Sequence, residues 1–251
     1  MLLSDIYLQL QEGELSQIFP GTGDLVTGNG DMPSTQYQKL WPHVKLGLTE
    51  LHKRFNLRES EFSIVLQPGQ IAYPLQSRFA ASNASSREPV RYIEDTSEPF
   101  TDNLTQVEQI WGTLNERDYE IPQNNRARPD AVRLPRYNNL IIPDDPEKAP
   151  WLRETSELRV VYRADHPSID EDLLRTPAEI EIDLPSTFLE ALLYFIAMRV
   201  HTPLGGMLGE TMSEGNNWAA KFEAEVRELK MLNLEIDNLD GQSMFQSGGW
   251  A

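Results

Sequence analysis

Residues 179–184 read Glu-Ile-Glu-Ile-Asp-Leu, an unbroken alternation of charge and hydrocarbon. In an extended chain, a period of two puts Glu179, Glu181 and Asp183 on one face and the apolar residues on the other. Two such carboxylates facing each other in a cleft can work as acid and base, as in glycoside hydrolysis. No His or Ser accompanies them, so the stretch specifies no reaction, and a solvated strand face is the simpler expectation. Arg126, Arg128, Arg133 and Arg136 form the other chemical cluster, in NNRARPDAVRLPRY, opposed only by Asp130. Such a patch can contact an acidic partner or a phosphate. Compensation of acidic segments of the same protein or of a neighbour is the expectation taken for it.

The remaining reactive residues are sparse. His43, His52, His166 and His201 are dispersed along the sequence, and no HExxH pattern holds any of them. The glycine-rich stretch 21–30, GTGDLVTGNG, lacks the lysine of a phosphate loop and the third glycine of a dinucleotide fingerprint. It reads as a loop. There is no G-x-S-x-G elbow. With no cysteine at all, thiolate nucleophiles, thiolate zinc sites and disulfides are excluded. No metal, no cofactor and no catalysis are expected.

The chain has 251 residues, enough for a sizeable core, with 22 basic and 39 acidic side chains and a net charge of −17. That balance argues against general binding to nucleic acid or anionic membranes, which requires a positive face. The start, MLLSDIYLQLQEGE, lacks a basic region and is not expected to be a signal peptide. The apolar run from Phe188 to Val200 is too short for the roughly 20 residues of a membrane span.

The elements that must position these residues fall into three zones. A helical domain is expected from 1–60 and 184–238, a β-rich module from 61–183, and a flexible tail over 239–251. Ser4 can cap a first helix, and Tyr37, Leu40, Trp41, Val44, Leu48, Leu51 and Phe55 form a helical stripe, with Pro42 expected to kink the helix or mark its start. Short Val-, Ile- and Tyr-rich runs predict strands at 62–66, 71–75, 90–94, 107–114, 131–134, 139–142 and 158–163. Thr187-x-x-Glu190 offers a capping box to an apolar helix that Pro203, Gly205 and Gly206 should end. Trp218, Phe222, Val226 and Leu229 then define the face of a last helix. The predicted class is α+β: a bundle of N- and C-terminal helices, an inserted antiparallel β sandwich or barrel-like module, and an extended C-terminal tail.

Four segments carry a resemblance: LTELHKRFNLRESEFSIVL at 48–66, ELRVVYRADHP at 157–167, Ile182-Asp183-Leu184-Pro185 followed by ALLYFIAMRVHTPLG, and GNNWAAKFEAEVRELK at 215–230. In their order they resemble the head-to-tail adaptor proteins of short-tailed bacteriophages. The resemblance implies a structural virion protein in a homo-oligomeric ring, commonly of twelve copies, docked on the portal protein and meeting tail nozzle, tube or fibre proteins below. DNA would pass through the channel without specific binding. Trp218, Phe222, Val226, Leu229, Phe245 and Trp250 are the candidate subunit or portal contacts, Glu179, Glu181 and Asp183 the candidate channel face, and the four arginines a candidate partner contact. Twelve chains would bring a total of about −200, a wall that repels DNA. The rival expectations are a carbohydrate-active enzyme and a sugar- or peptide-binding β module.

Overall fold

A computed structural model describes residues 1–15, 34–95, 98–169, 179–208 and 212–232. The expected flexible tail, 239–251, lies outside these residues, as does the 21–30 loop. The chain divides into two compact units, one of Met1–Asn56 with the residues from His166 onward, the other of Leu57–Asp165. The class is α+β. The second unit ends at Asp165, and the described residues 166–169 and 179–183 group with the helices.

The helical unit holds α1 (Leu3–Glu12), α2 (Ser34–Arg54), α3 (Leu189–Leu208) and α4 (Met212–Met231). In α1, Leu3, Ile6, Tyr7 and Leu10 step by three, one and three onto one buried face. Ser4 does not cap it. Leu2 holds the N-cap position without a side-chain bond, and Ile180 O accepts from Leu3 N at 2.9 Å, meeting one of the helix's orphan donors. α2 runs through Pro42 without ending, and α3 continues past Pro203, Gly205 and Gly206 to Leu208. The proposed capping box at Thr187 does not form. A 3-10 turn, Ser186–Phe188, leads into α3, and the Glu190 carboxylate accepts the Tyr194 hydroxyl instead.

α3 packs against α1, α2 and α4, which accounts for its apolar circumference. Where it meets α2 the backbones approach closely at Gly47. A Cβ there would lie 2.6 Å from Leu192 Cδ1 and 3.1 Å from Phe195 Cδ1. Leu192 is fully buried, so it has little room to yield. Gly47→Val is therefore expected to lower the unfolding free energy by about 2–3 kcal/mol. Gly47→Ala should cost less, because alanine regains about 1 kcal/mol of helix propensity. Urea denaturation of the two variants checks the ordering.

The second unit is built of antiparallel strands: β1 (Glu59–Val65), β2 (Ala72–Pro74), β3 (Ile93–Glu94), β4 (Leu104–Leu114), β5 (Arg117–Glu120), β6 (Arg133–Arg136), β7 (Asn139–Ile141) and β8 (Glu157–Ala164). One sheet has the order β3-β1-β8-β4-β5 and the other β2-β7-β6. The five-stranded sheet ends in β3 and β5, so it is open and forms no closed barrel. Both sheets contribute to a single core that includes Phe62, Tyr73, Ile110, Leu140, Trp151 and Val160. Alternation in β8 explains its place at the centre: Leu158, Val160 and Tyr162 point inward. No helix among the described residues is long and apolar enough to cross a membrane.

Candidate functional site

The basic cluster sits on the β unit, where the chain leaves β5, loops out and returns as β6. The loop closes on itself. Asn124 N donates to Val132 O and Val132 N to Pro122 O, both at 2.9 Å. Asn124 takes a left-handed conformation (φ 50°), which asparagine tolerates, and its Oδ1 accepts Leu134 N at 2.8 Å. Asn125 Oδ1 accepts Ala127 N at 3.0 Å, an Asx turn. Below, the indole of Trp151, fully buried, donates to Asp130 O at 2.9 Å. The loop is thus held at its neck, its tip and its floor.

Among the described residues, one of the four arginines is compensated. The Arg128 guanidinium reaches Asp130 Oδ2 at 2.7 Å and the Tyr119 hydroxyl at 2.8 Å, while that hydroxyl donates to Asp130 at 3.0 Å. The Arg128 hydrogen bond holds the Asp130 carboxyl below the usual carboxylate range, and burial raises the Tyr119 phenol. A lowered carboxyl pKa adds stability above the unfolded value, and that contribution fades as pH falls through the folded one. Arg128→Ala should bring the Asp130 pKa back up toward the ordinary range, an effect measurable by carboxyl-carbon NMR titration. Arg126, Arg133 and Arg136 are exposed and make no ion pair among the described residues. Among the described residues, compensation is seen for Arg128. Tyr137, 63% exposed, follows Arg136 at the β6–β7 turn.

Tyr137 also borders a depression of about 310 Å³ lined by Leu75, Ser77, Arg78 and Asp102 among others. Asp102 is its one carboxylate. It accepts Ser77 N at 2.6 Å and the Ser77 hydroxyl, so it stands opposite no second acid.

The acidic stretch takes the alternation expected of it. Glu179, Glu181 and Asp183 are exposed, while Ile180, Ile182 and Leu184 are buried. Around Glu181 the chain pairs with the N-terminal residues, where Leu2 bridges Glu181 and Ile182 N donates to Met1 O at 2.7 Å, and it then turns tightly, with Leu184 N donating to Ile182 O at 2.9 Å. All three carboxylates stay on the exposed side of the segment.

The stripe on α4 requires a correction. Phe222, Val226 and Leu229 are 2–3% exposed, buried inside their own unit. Phe222 meets Phe195 of α3 at 5.3 Å, and the Arg54 guanidinium lies over its ring at 5.0 Å while pairing with Glu50 and Glu223. Trp218 is half-buried against Tyr194 at 5.7 Å and His201 at 6.0 Å, under the Lys221 ammonium at 4.1 Å. These four residues therefore hold α4 to its own chain, and only part of Trp218 is left for another. Phe245 and Trp250 lie outside the described residues.

Two features escaped the sequence reading. His52 and His166, apart in sequence, meet with ring centroids 5.4 Å apart. Arg163 on β8 bonds Glu108 on β4 at 2.8 Å, both side chains at least nine-tenths buried. A 55-residue separation hides that pair from any local pattern. Among the described residues no group of three or more His, Asp or Glu is placed to hold a metal. No protein-family model and no curated protein matches the chain.

Proposed function

We propose that this chain is a structural virion protein: one subunit of an adaptor ring that connects a phage portal to the tail and forms part of the DNA channel. One observation carries the reading. Residues from both ends of the described chain, α1 with α2 and α3 with α4, make one helical unit, and the antiparallel unit of Leu57–Asp165 lies between them in sequence. That is the order of elements on which the resemblance to adaptors rests. In finer terms, the helical bundle forms the ring, the inserted β module reaches tail proteins, and the C-terminal tail, with Phe245 and Trp250, engages the portal. The net charge of −17 supports a channel wall that does not retain DNA.

Electron microscopy of the purified chain mixed with the portal of the same virus tests this. Twelvefold rings capping the portal, absent when the portal is left out, are the expected result. Dispersed particles that never associate with the portal would sink the reading.

A further inference from the structure

The β unit holds ten aromatic side chains, and nine of them have a ring, cation or hydrogen-bond partner inside it. Tyr137 has none among the described residues, and it is the one ring of that unit that is exposed rather than buried or half-buried. It stands in the two-residue turn between the paired Arg136 and Asn139, at the edge of the 310 Å³ depression. Two further uncommitted groups line that depression. The side-chain amides of Gln76 and Asn138 make no hydrogen bond among the described residues. The frame beneath these groups is fixed. β2 pairs with β7, and Leu75 N donates to Asn138 O at 2.9 Å. Asp102, in a left-handed conformation (φ 60°), is held by Ser77 through its N–H at 2.6 Å and through its hydroxyl. Leu75 and Leu104, both buried, complete the lining.

We infer that this depression binds one ring of a neutral saccharide, with Tyr137 as the stacking platform. The lining selects that class. A tyrosine without a partner offers an apolar face to the C–H face of a pyranose, and its hydroxyl stays free for a polar contact. Amides both donate and accept hydrogen bonds, as sugar hydroxyls do. The Asp102 carboxylate has about four lone-pair sites, so Ser77 leaves acceptor capacity open. An anion is disfavoured there. Asp102 is negative, and the one cation of the lining, Arg78, pairs with Glu88 at 3.6 Å and lies over the Phe79 ring at 4.8 Å. Hydrolysis is not part of the inference, because it takes two carboxylates and the lining has one. The volume is at the lower end for small-molecule sites, so one ring enters and the rest of a glycan stays outside. A fixed frame lowers the ordering cost of binding.

The test is saturation-transfer NMR on the full chain with maltose, lactose, cellobiose and N,N′-diacetylchitobiose, each at about 10 mM, where weak affinities register. Tyr137→Ala, Tyr137→Phe and Gln76→Ala/Asn138→Ala are compared with the wild type, and thermal melting checks that each is folded. At least one disaccharide is expected to bind and to shift the side-chain amide signals of Gln76 and Asn138. Tyr137→Ala and the double amide variant should each weaken that binding about tenfold or more, and Tyr137→Phe, which keeps the ring, by no more than about threefold. Binding of none of these sugars overturns the proposal. So does sugar binding that a folded Tyr137→Ala leaves unchanged, or that leaves both amide signals unmoved. A trilysine peptide that shifts those amide signals where the sugars do not, and loses its effect in Asp102→Asn, overturns it in favour of a site for cationic peptides. The adaptor reading is tested apart from this one, by portal mixing, and sugar binding at Tyr137 stands or falls whether or not rings form on the portal.

Discussion

Glu108→Ala is expected to destabilise the β unit by about 3–5 kcal/mol, the cost of removing one partner from a buried ion pair. The bonding around Arg163 explains why so much rests there. β4 departs from regular pairing with β8 twice, between Leu104 and Gln106 and between Val107 and Gln109. Thr105 and Glu108 are the extra residues at these bulges, and both fasten to Arg163. The Thr105 hydroxyl donates to Arg163 O at 2.8 Å, and Glu108 accepts from Arg163 Nε at 2.8 Å. The carbonyl freed at the second bulge is not orphaned, since Gln123 Nε2 donates to Glu108 O at 2.8 Å. Alanine at 108 leaves the Arg163 side chain, 8% exposed, without that carboxylate. Glu108→Gln, which keeps an acceptor, should cost about half as much. Urea unfolding measures both, and a loss below about 1 kcal/mol for alanine would show that water reaches the site and that the pair is not structural.

Trp151→Ala should lower stability by about 3–5 kcal/mol through lost volume in a fully buried position. The informative variant is Trp151→Phe. It retains most of the hydrophobic body and deletes the N–H that holds Asp130 O. The expected cost is about 1–2 kcal/mol, and the effect should concentrate in the basic loop, where the amides of Asn124 and Val132 exchange faster with solvent. Faster exchange spread evenly over the unit would mean that Trp151 supports the core and does not hold the loop in particular.

What could be read from the sequence followed from period and composition. The alternation at 179–184 predicted its inward and outward faces, because a period of two has one extended solution. The α4 stripe was legible as one apolar helix face, yet periodicity does not say what covers it. Phe195 of the same chain does, so the proposed interface became core. β5, Arg-Asp-Tyr-Glu, was missed because an edge strand facing water carries no apolar signal. Pro203 was read as a terminator, since local propensity favours a break there, but α3 runs through it. The arginine cluster was visible as composition. That Arg128 pairs with Asp130 depends on the fold of the loop around Asn124 and Asn125, which composition does not encode.

The discontinuous helical unit has a consequence for synthesis. α1 and α2 leave the ribosome first, but α3, which covers them, follows only after roughly 110 residues of β unit. At about 5–20 residues per second that is a wait of roughly 5–20 seconds or more with Leu40, Trp41, Val44 and Leu48 uncovered. The β unit, contiguous in sequence, can complete its own contacts in that interval. Nascent chains arrested before residue 189 should therefore carry a protease-resistant β unit and a chaperone-binding N-terminal segment. The step that limits maturation is then the late capture of α2 by α3, a long-range closure and not a local one.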